Sequence, residues 1–341
     1  MRTVVNFQDL TEDEIRPDEL AAQFRVASER SVRDLLVPVA VVDIPCPGCS
    51  GDDSALAFTK SGLSYRECAV CGTLFVSPRP DQNALDRYYR DSPAAAFWRT
   101  RVLPMTASAR AVKLHRPRAE WILDNLAEHT PDAAVGLDLS PYGAPFAEIL
   151  LTLSREGSHP VRRMIVATVA ADLDPASVVG VVVESRSLAE VPGLGPVDFV
   201  SAFDALERVA SPAHLVAAAH AALRPGGLLF LSAPNIKGFD LQVLWERSRA
   251  ISPPEKINLL SIEALRQLLP AEQWTVHELS TPGMFDAHAV RKAIAEEPDG
   301  PWPRIVRELV RDQQAAEELQ EFLQRRRLSS FARIFAQRSM S

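Results

Sequence analysis

The chain has 341 residues, 47% of them apolar and 24% charged, with a formal net charge of −7. This is globular composition, neither disordered nor fibrous, and the length allows two or three structural units. The acidic balance excludes a general nucleic-acid binder, which needs a basic face, and no apolar stretch reaches the roughly 20 residues of a membrane helix.

The opening MRTVVNFQDLTEDEIRPDEL is acidic and carries no apolar signal core, so a cytoplasmic location is expected. Leu20, Phe24, Val32, Leu35 and Leu36 recur at helical spacing and predict an amphipathic helix over 18–36, inside an N-terminal helical segment 1–43. All four cysteines then fall between Cys46 and Cys71, in a turn-rich, strand-like module over 44–80 closed by Pro78 and Pro80. Residues 83–90 and 108–128 read as helices of a linker or lid spanning 81–131.

Beyond 132 the pattern changes. Apolar runs at 134–139, 164–169, 178–183, 197–202 and 228–232 read as buried strands. Helices are predicted at 144–153 and 212–223, the second stopped by Arg224-Pro225-Gly226-Gly227. Strands alternating with helices predict a parallel sheet covered on both faces. The link at 170–177 has only about eight residues, where a parallel crossover usually takes a dozen, so either its helix shrinks to a turn or the strand bounds lie a few residues off.

The cysteines follow the pattern C-x2-C, eighteen residues, C-x2-C. Cys46, Cys49, Cys68 and Cys71 thereby match a two-knuckle zinc ribbon, in which each pair presents two thiolates from a tight turn. The rival readings, a redox pair or a disulfide framework, suit a cytoplasmic chain less well. Four thiolates fill a zinc ion, so the metal is expected to be structural. Gly48 and Gly72 stand where a knuckle needs permissive backbone. Asp52, Asp53 and Glu67 nearly balance Lys60, Arg66 and Arg79, so no nucleic-acid role is expected of the ribbon.

The run VDFVSAFDALERVASPAHLVAAAHAALRPGGLLFLSAPN, from Val197 to Asn235, resembles the second half of a class I S-adenosylmethionine-dependent methyltransferase. Tyr88-Tyr89 after the ribbon, Ser252-Pro253-Pro254-Glu255 with Asn258, Thr281-Pro282-Gly283, Leu319-Gln320 and Leu328-Ser329-Ser330 are similar to a subgroup that carries an N-terminal four-cysteine zinc ribbon. The resemblance implies an α/β fold over 132–341: a doubly wound, Rossmann-like, seven-stranded and mostly parallel sheet. Residues 274–279 would be strand six, 331–337 an antiparallel strand seven, and 286–327 a helical insertion.

It also implies S-adenosylmethionine as cofactor and a sugar or secondary metabolite as substrate. By position, Asp138, Ser140, Tyr142, Gly143, Glu184, Ser185, Phe203 and Asp204 would line the cofactor site. Tyr88, Tyr89 and Asn235 would face the substrate, and Glu207, Arg208, Glu255 and Lys256 are the catalytic candidates. The cofactor motif is degenerate. Ser140, Tyr142 and Ala144 stand where glycines let the cofactor approach the backbone, and Tyr142 is expected to crowd its methionine end. No acid lies at 167–170 for the ribose, and Asp172 serves only with a shifted register. Resembling enzymes carry histidines where this chain has Arg208, Lys256 and Phe331, while His115, His214 and His220 fall on helices or loops. Three readings follow: a divergent methyltransferase, a non-catalytic relative that binds a small molecule or a protein partner, or an enzyme that reuses the pocket for other chemistry.

Overall fold

The helix at Asp18–Leu35 turns Val32 inward and docks on Pro93–Phe97, where the Ala94 amide donates to Ser31 Oγ at 3.2 Å. The computed structural model describes residues 10–168, 179–185 and 187–340. Alternating burial next builds the ribbon strands β1 (Ser54–Lys60), β2 (Leu63–Cys68) and β3 (Leu74–Val76), all antiparallel.

After the helix Gln82–Asp91 a helical run continues over 93–129, longer than the 108–128 expected. Two π-helical turns, Trp98–Val102 and Ala111–His115, interrupt it. Each is followed at once by a proline, Pro104 or Pro117. The wider turn relieves the clash that a proline ring makes with the carbonyl one turn back, so the run bends without stopping.

The α/β domain follows the expected alternation, with bounds shifted by a few residues. Its first strands are β4 (Val135–Asp138), β5 (Arg163–Thr168), β6 (Val181–Ser185), β7 (Val197–Phe203) and β8 (Leu223–Pro234). A short β9 (Asn258–Leu259) leaves the domain and pairs antiparallel with β3, completing a four-stranded ribbon sheet. The cysteine module is therefore joined to the domain by main-chain pairing. Arg79, 2% exposed, reinforces the joint by donating to Asn258 Oδ1 at 2.8 Å and to the Ala210 carbonyl at 2.9 Å.

Strands β10 (Trp274–Ser280) and β11 (Phe331–Arg338) finish the main sheet, whose order is β10-β11-β8-β7-β4-β5-β6. Neighbours from β8 to β6 pair in parallel, while β11 runs antiparallel to both β8 and β10. Leu137, Val200, Leu229 and Ala219 pack one face; Phe146, Phe199, Phe230 and Phe335 pack the other. The expected insertion is three helices, Asp286–Glu296, Arg304–Leu309 and Gln313–Arg326. The short crossover predicted at 170–177, and Asp172 with it, lie outside the described residues. No helix among the described residues is long and apolar enough to cross a membrane.

Candidate functional site

The four sulfurs of Cys46, Cys49, Cys68 and Cys71 lie within 4.8 Å of one another, and none is in a disulfide. Cys46 and Cys71 are 3.5 Å apart at Sγ, as are Cys49 and Cys68. A tetrahedral zinc thiolate site, with Zn–S near 2.3 Å, requires sulfur separations of about 3.8 Å, so this donor set fits a closed four-thiolate metal centre. The turns are those of knuckles: Ser50 N donates to Cys46 O at 2.8 Å and Gly72 N to Cys68 O at 2.9 Å. The left-handed positions are Ser50 and Gly72. Gly48 has another task, because a Cβ there would lie 2.4 Å from Ala264 Cβ. It lets the knuckle sit against the helix Ile262–Gln267.

At the carboxyl end of the main sheet, where open α/β sheets hold their ligands, β4 ends in Asp138. Its Oδ1 accepts from Ser140 Oγ at 2.7 Å and from Ser201 Oγ at 2.6 Å. Ser140 Oγ in turn accepts from the Phe203 amide at 2.9 Å, so the hydroxyl ties the turn to β7. Asp138 Oδ2 has no hydrogen-bond partner and lies over Gly143, where a Cβ would stand 1.7 Å away. Burial raises the Asp138 pKa to about 6 against the opposing pull of its serine bonds. Tyr142 takes φ 61°, a left-handed conformation that a glycine adopts freely and a tyrosine at a cost.

Beside this turn lies a cleft of about 100 Å³ lined by Ser140, Pro141, Tyr142, Ala167, Leu188 and Ala205, with Tyr89 and Arg208 at its rim. Ala167 stands near the end of β5, where the ribose-binding acid was expected. Sites for small molecules and cofactors run from about 300 Å³ upward. As bounded by the described residues, the cleft does not fit S-adenosylmethionine. A second cavity of about 1140 Å³ opens on the other side. Tyr142 and Arg208 line both spaces and so form the partition between them.

Of the expected cofactor residues whose side chains are described, only Ser140 and Tyr142 reach the small cleft; Phe203 and Asp204 face the large cavity, and Asp138, Gly143 and Glu184 line neither. Asp204 accepts from Arg118 at 3.0 Å and from Ser232 Oγ at 3.3 Å. Burial alone would raise its pKa, yet Arg118, Lys256 and Arg208 hold the carboxyl well below the usual range.

The catalytic candidates pair with each other. Lys256 is bonded to Glu207 and Arg208 to Glu255, so neither cation is free. Glu207 is completely buried, with its second oxygen unpartnered. Burial lowers the Lys256 pKa, while Glu207 and Asp204 counteract the shift.

The substrate expectation is corrected for two residues. Tyr88, 1% exposed, is packed in the core with its hydroxyl 3.1 Å from Ser28 Oγ. Asn235, wholly buried, donates to the Ser329 carbonyl at 3.0 Å and accepts from the Lys237 amide at 3.2 Å. Tyr89 does border the small cleft, its hydroxyl donating to the Pro254 carbonyl at 2.8 Å.

Sequence reasoning missed the cavity residues of the run 93–129, chiefly Trp98, Arg110, Arg118 and Trp121. They belong to no motif, and only their helical placement before the α/β domain hinted at a role. It also missed Asp286, which accepts from Gln320 at 2.8 Å, Ser329 Oγ at 2.6 Å and the Ser330 amide at 2.6 Å. That carboxylate gathers the Leu-Gln and Ser-Ser elements of the resemblance onto one point.

The strand order, with an antiparallel seventh strand inserted beside the fifth, defines a class I methyltransferase fold. Residues 117–279 match the family described as "Methyltransferase domain". Among solved structures, a putative sarcosine dimethylglycine methyltransferase from Galdieria sulphuraria is similar at 15% identity and TM-score 0.43, covering 66% of this chain and 86% of that one. The plantazolicin methyltransferase BpumL is similar at 11% identity and TM-score 0.45, covering 76% and 95%. The [4+2]-cyclase SpnF is similar at 13% identity and TM-score 0.39, covering 65% and 81%. No curated protein matches the sequence.

Proposed function

We propose that this is a methyltransferase-fold protein in which conventional methyl transfer is weak or absent and the large cavity is the ligand site. The observation that carries the reading is the disparity between the two spaces, about 100 Å³ on the cofactor side and about 1140 Å³ beyond Tyr142 and Arg208. The Ser140 bond to β7 and the seating of Asp138 on Gly143 support it, because both close the turn that would have to cradle a methionine moiety. The large cavity mixes aromatic and charged walls, which suits a small molecule with an apolar body and a polar or charged group. The cysteine cluster, in this reading, holds a zinc ion whose task is to fix the ribbon against the domain.

Incubation with labelled S-adenosylmethionine and small-molecule extracts tests the proposal, with Asp138→Ala as the reference. No label transfer above that reference is expected. Robust transfer by the native protein that Asp138→Ala abolishes would restore an ordinary methyltransferase.

A further inference from the structure

Most cations around the large cavity have an acidic partner. Lys113 meets Glu14, Arg118 meets Asp204, Arg208 meets Glu255, Lys256 meets Glu207 and Arg333 meets Glu278. Arg16, Arg25 and Arg110 differ: among the described residues, none has a carboxylate within ion-pair distance, and of the three Arg16 and Arg110 lie side by side. Arg110 donates to Thr106 Oγ1 at 2.8 Å and to the Ile15 carbonyl at 2.7 Å, which places its guanidinium beside Arg16 and over the Trp98 ring. Arg118 and Arg208 converge on Asp204 from two other elements, through its side chain and its carbonyl, and the Arg118 guanidinium covers the Phe203 ring.

This sector of the wall therefore assembles Arg16, Arg110, Arg118, Arg208 and Lys256 against Asp204 and Glu255, with Glu207 buried behind Lys256. The surplus is two positive charges. Burial pushes the Arg110 pKa down to about 10, and Arg16, Arg118 and Arg208 push the same way. Gathering like charges in a partly dry recess costs free energy that a bound anion recovers. Guanidinium groups suit a phosphate, which they bind through paired hydrogen bonds, and a phosphate monoester near pH 7 carries close to two negative charges. Trp98, half-buried in the cavity wall, gives the attached body an apolar surface.

We propose that this sector binds the phosphate group of a small phosphomonoester, anchored by Arg16 and Arg110 with Arg118 and Arg208 behind them. The inference rests on the reading of the large cavity as the ligand site. Calorimetry at low salt with phenyl phosphate, inorganic phosphate and acetate tests it. One-site binding is expected in the order phenyl phosphate, phosphate, acetate, with phenyl phosphate weakened about tenfold or more by Arg16→Gln and by Arg110→Gln.

Arg110→Lys, which keeps the charge and loses the fork, should fall between, and Arg16→Gln breaks no bond within the described structure. Equal binding of phenyl phosphate and inorganic phosphate would assign the sector to the free anion and overturn the monoester. Absence of saturable binding at millimolar ligand, acetate binding as well as phosphate, or variants that bind like the native protein would overturn the site itself. Tight S-adenosylmethionine binding would instead overturn the functional reading, on a separate readout.

Discussion

The cysteine cluster and the cleft beside the turn after β4 share one hydrophobic core, and they meet their chemical requirements differently. The cluster has the four ligands a closed metal site needs, within 4.8 Å of one another, with Ser50 and Gly72 at its left-handed turns and Gly48 letting it sit against the domain. The cleft has the strand, the turn and the acidic residue, but carries Ser140, Tyr142 and Ala144 at the glycine positions and measures about 100 Å³ as bounded by the described residues. The contrast separates what holds the fold from what binds a ligand: the sheet is held by hydrophobic packing on both faces, and the residues at the tips of its strands can change without altering that packing.

The largest effect is expected at the cluster. Purified protein should contain about one zinc per chain, and Cys46→Ser or Cys71→Ser should abolish the folded ribbon. Structural zinc binding contributes on the order of 10 kcal/mol, as much as the whole stability of an ordinary domain. Because β9 belongs to the ribbon sheet and Gly48 abuts Ala264, the damage should reach the α/β domain, seen as a lowered melting temperature of the whole chain. Metal-free yet fully folded native protein would break the comparison at this end.

A smaller effect is expected at the cleft floor. Asp138 has its pKa raised from 3.8 to about 6, so between those values the folded state holds a proton that the unfolded state has lost. Its stabilising contribution is complete below about pH 4 and falls as the pH rises through 6, by about 2–3 kcal/mol in all. Asp138→Asn should therefore gain stability relative to the native protein across that window and show a constant difference above it. Denaturant titrations at several pH values measure this, and a difference that does not change from pH 4 to 7 would contradict the buried, proton-holding floor.

The strands and their order were legible because each is an apolar run of strand length between turn signals, and the cysteine spacing is specific in itself. What escaped has no local signal. Asn258–Leu259 is two residues long, too short for any periodicity, yet it completes the ribbon sheet. The apolar spacing predicts a helix only over 108–128, whereas the π-turns ahead of Pro104 and Pro117 join a longer run over 93–129. Glu207, Arg208, Glu255 and Lys256 were legible as a group of candidates, but not their pairing, because Arg208 and Glu255, like Glu207 and Lys256, lie far apart along the chain and meet only after folding. Tyr142 was legible as an obstruction by identity, and the structure adds its place on the partition beside Arg208.

The central claim is that the turn after β4 has closed the cofactor cleft, and calorimetric titration of S-adenosylmethionine into native protein and the Ser140→Gly/Tyr142→Gly double variant tests it most directly. The glycines remove the Tyr142 ring and relieve its left-handed backbone, so the variant should bind at least about tenfold more tightly than a native protein that shows no micromolar affinity. Micromolar binding by the native protein, or identical weak binding by both, would contradict the account.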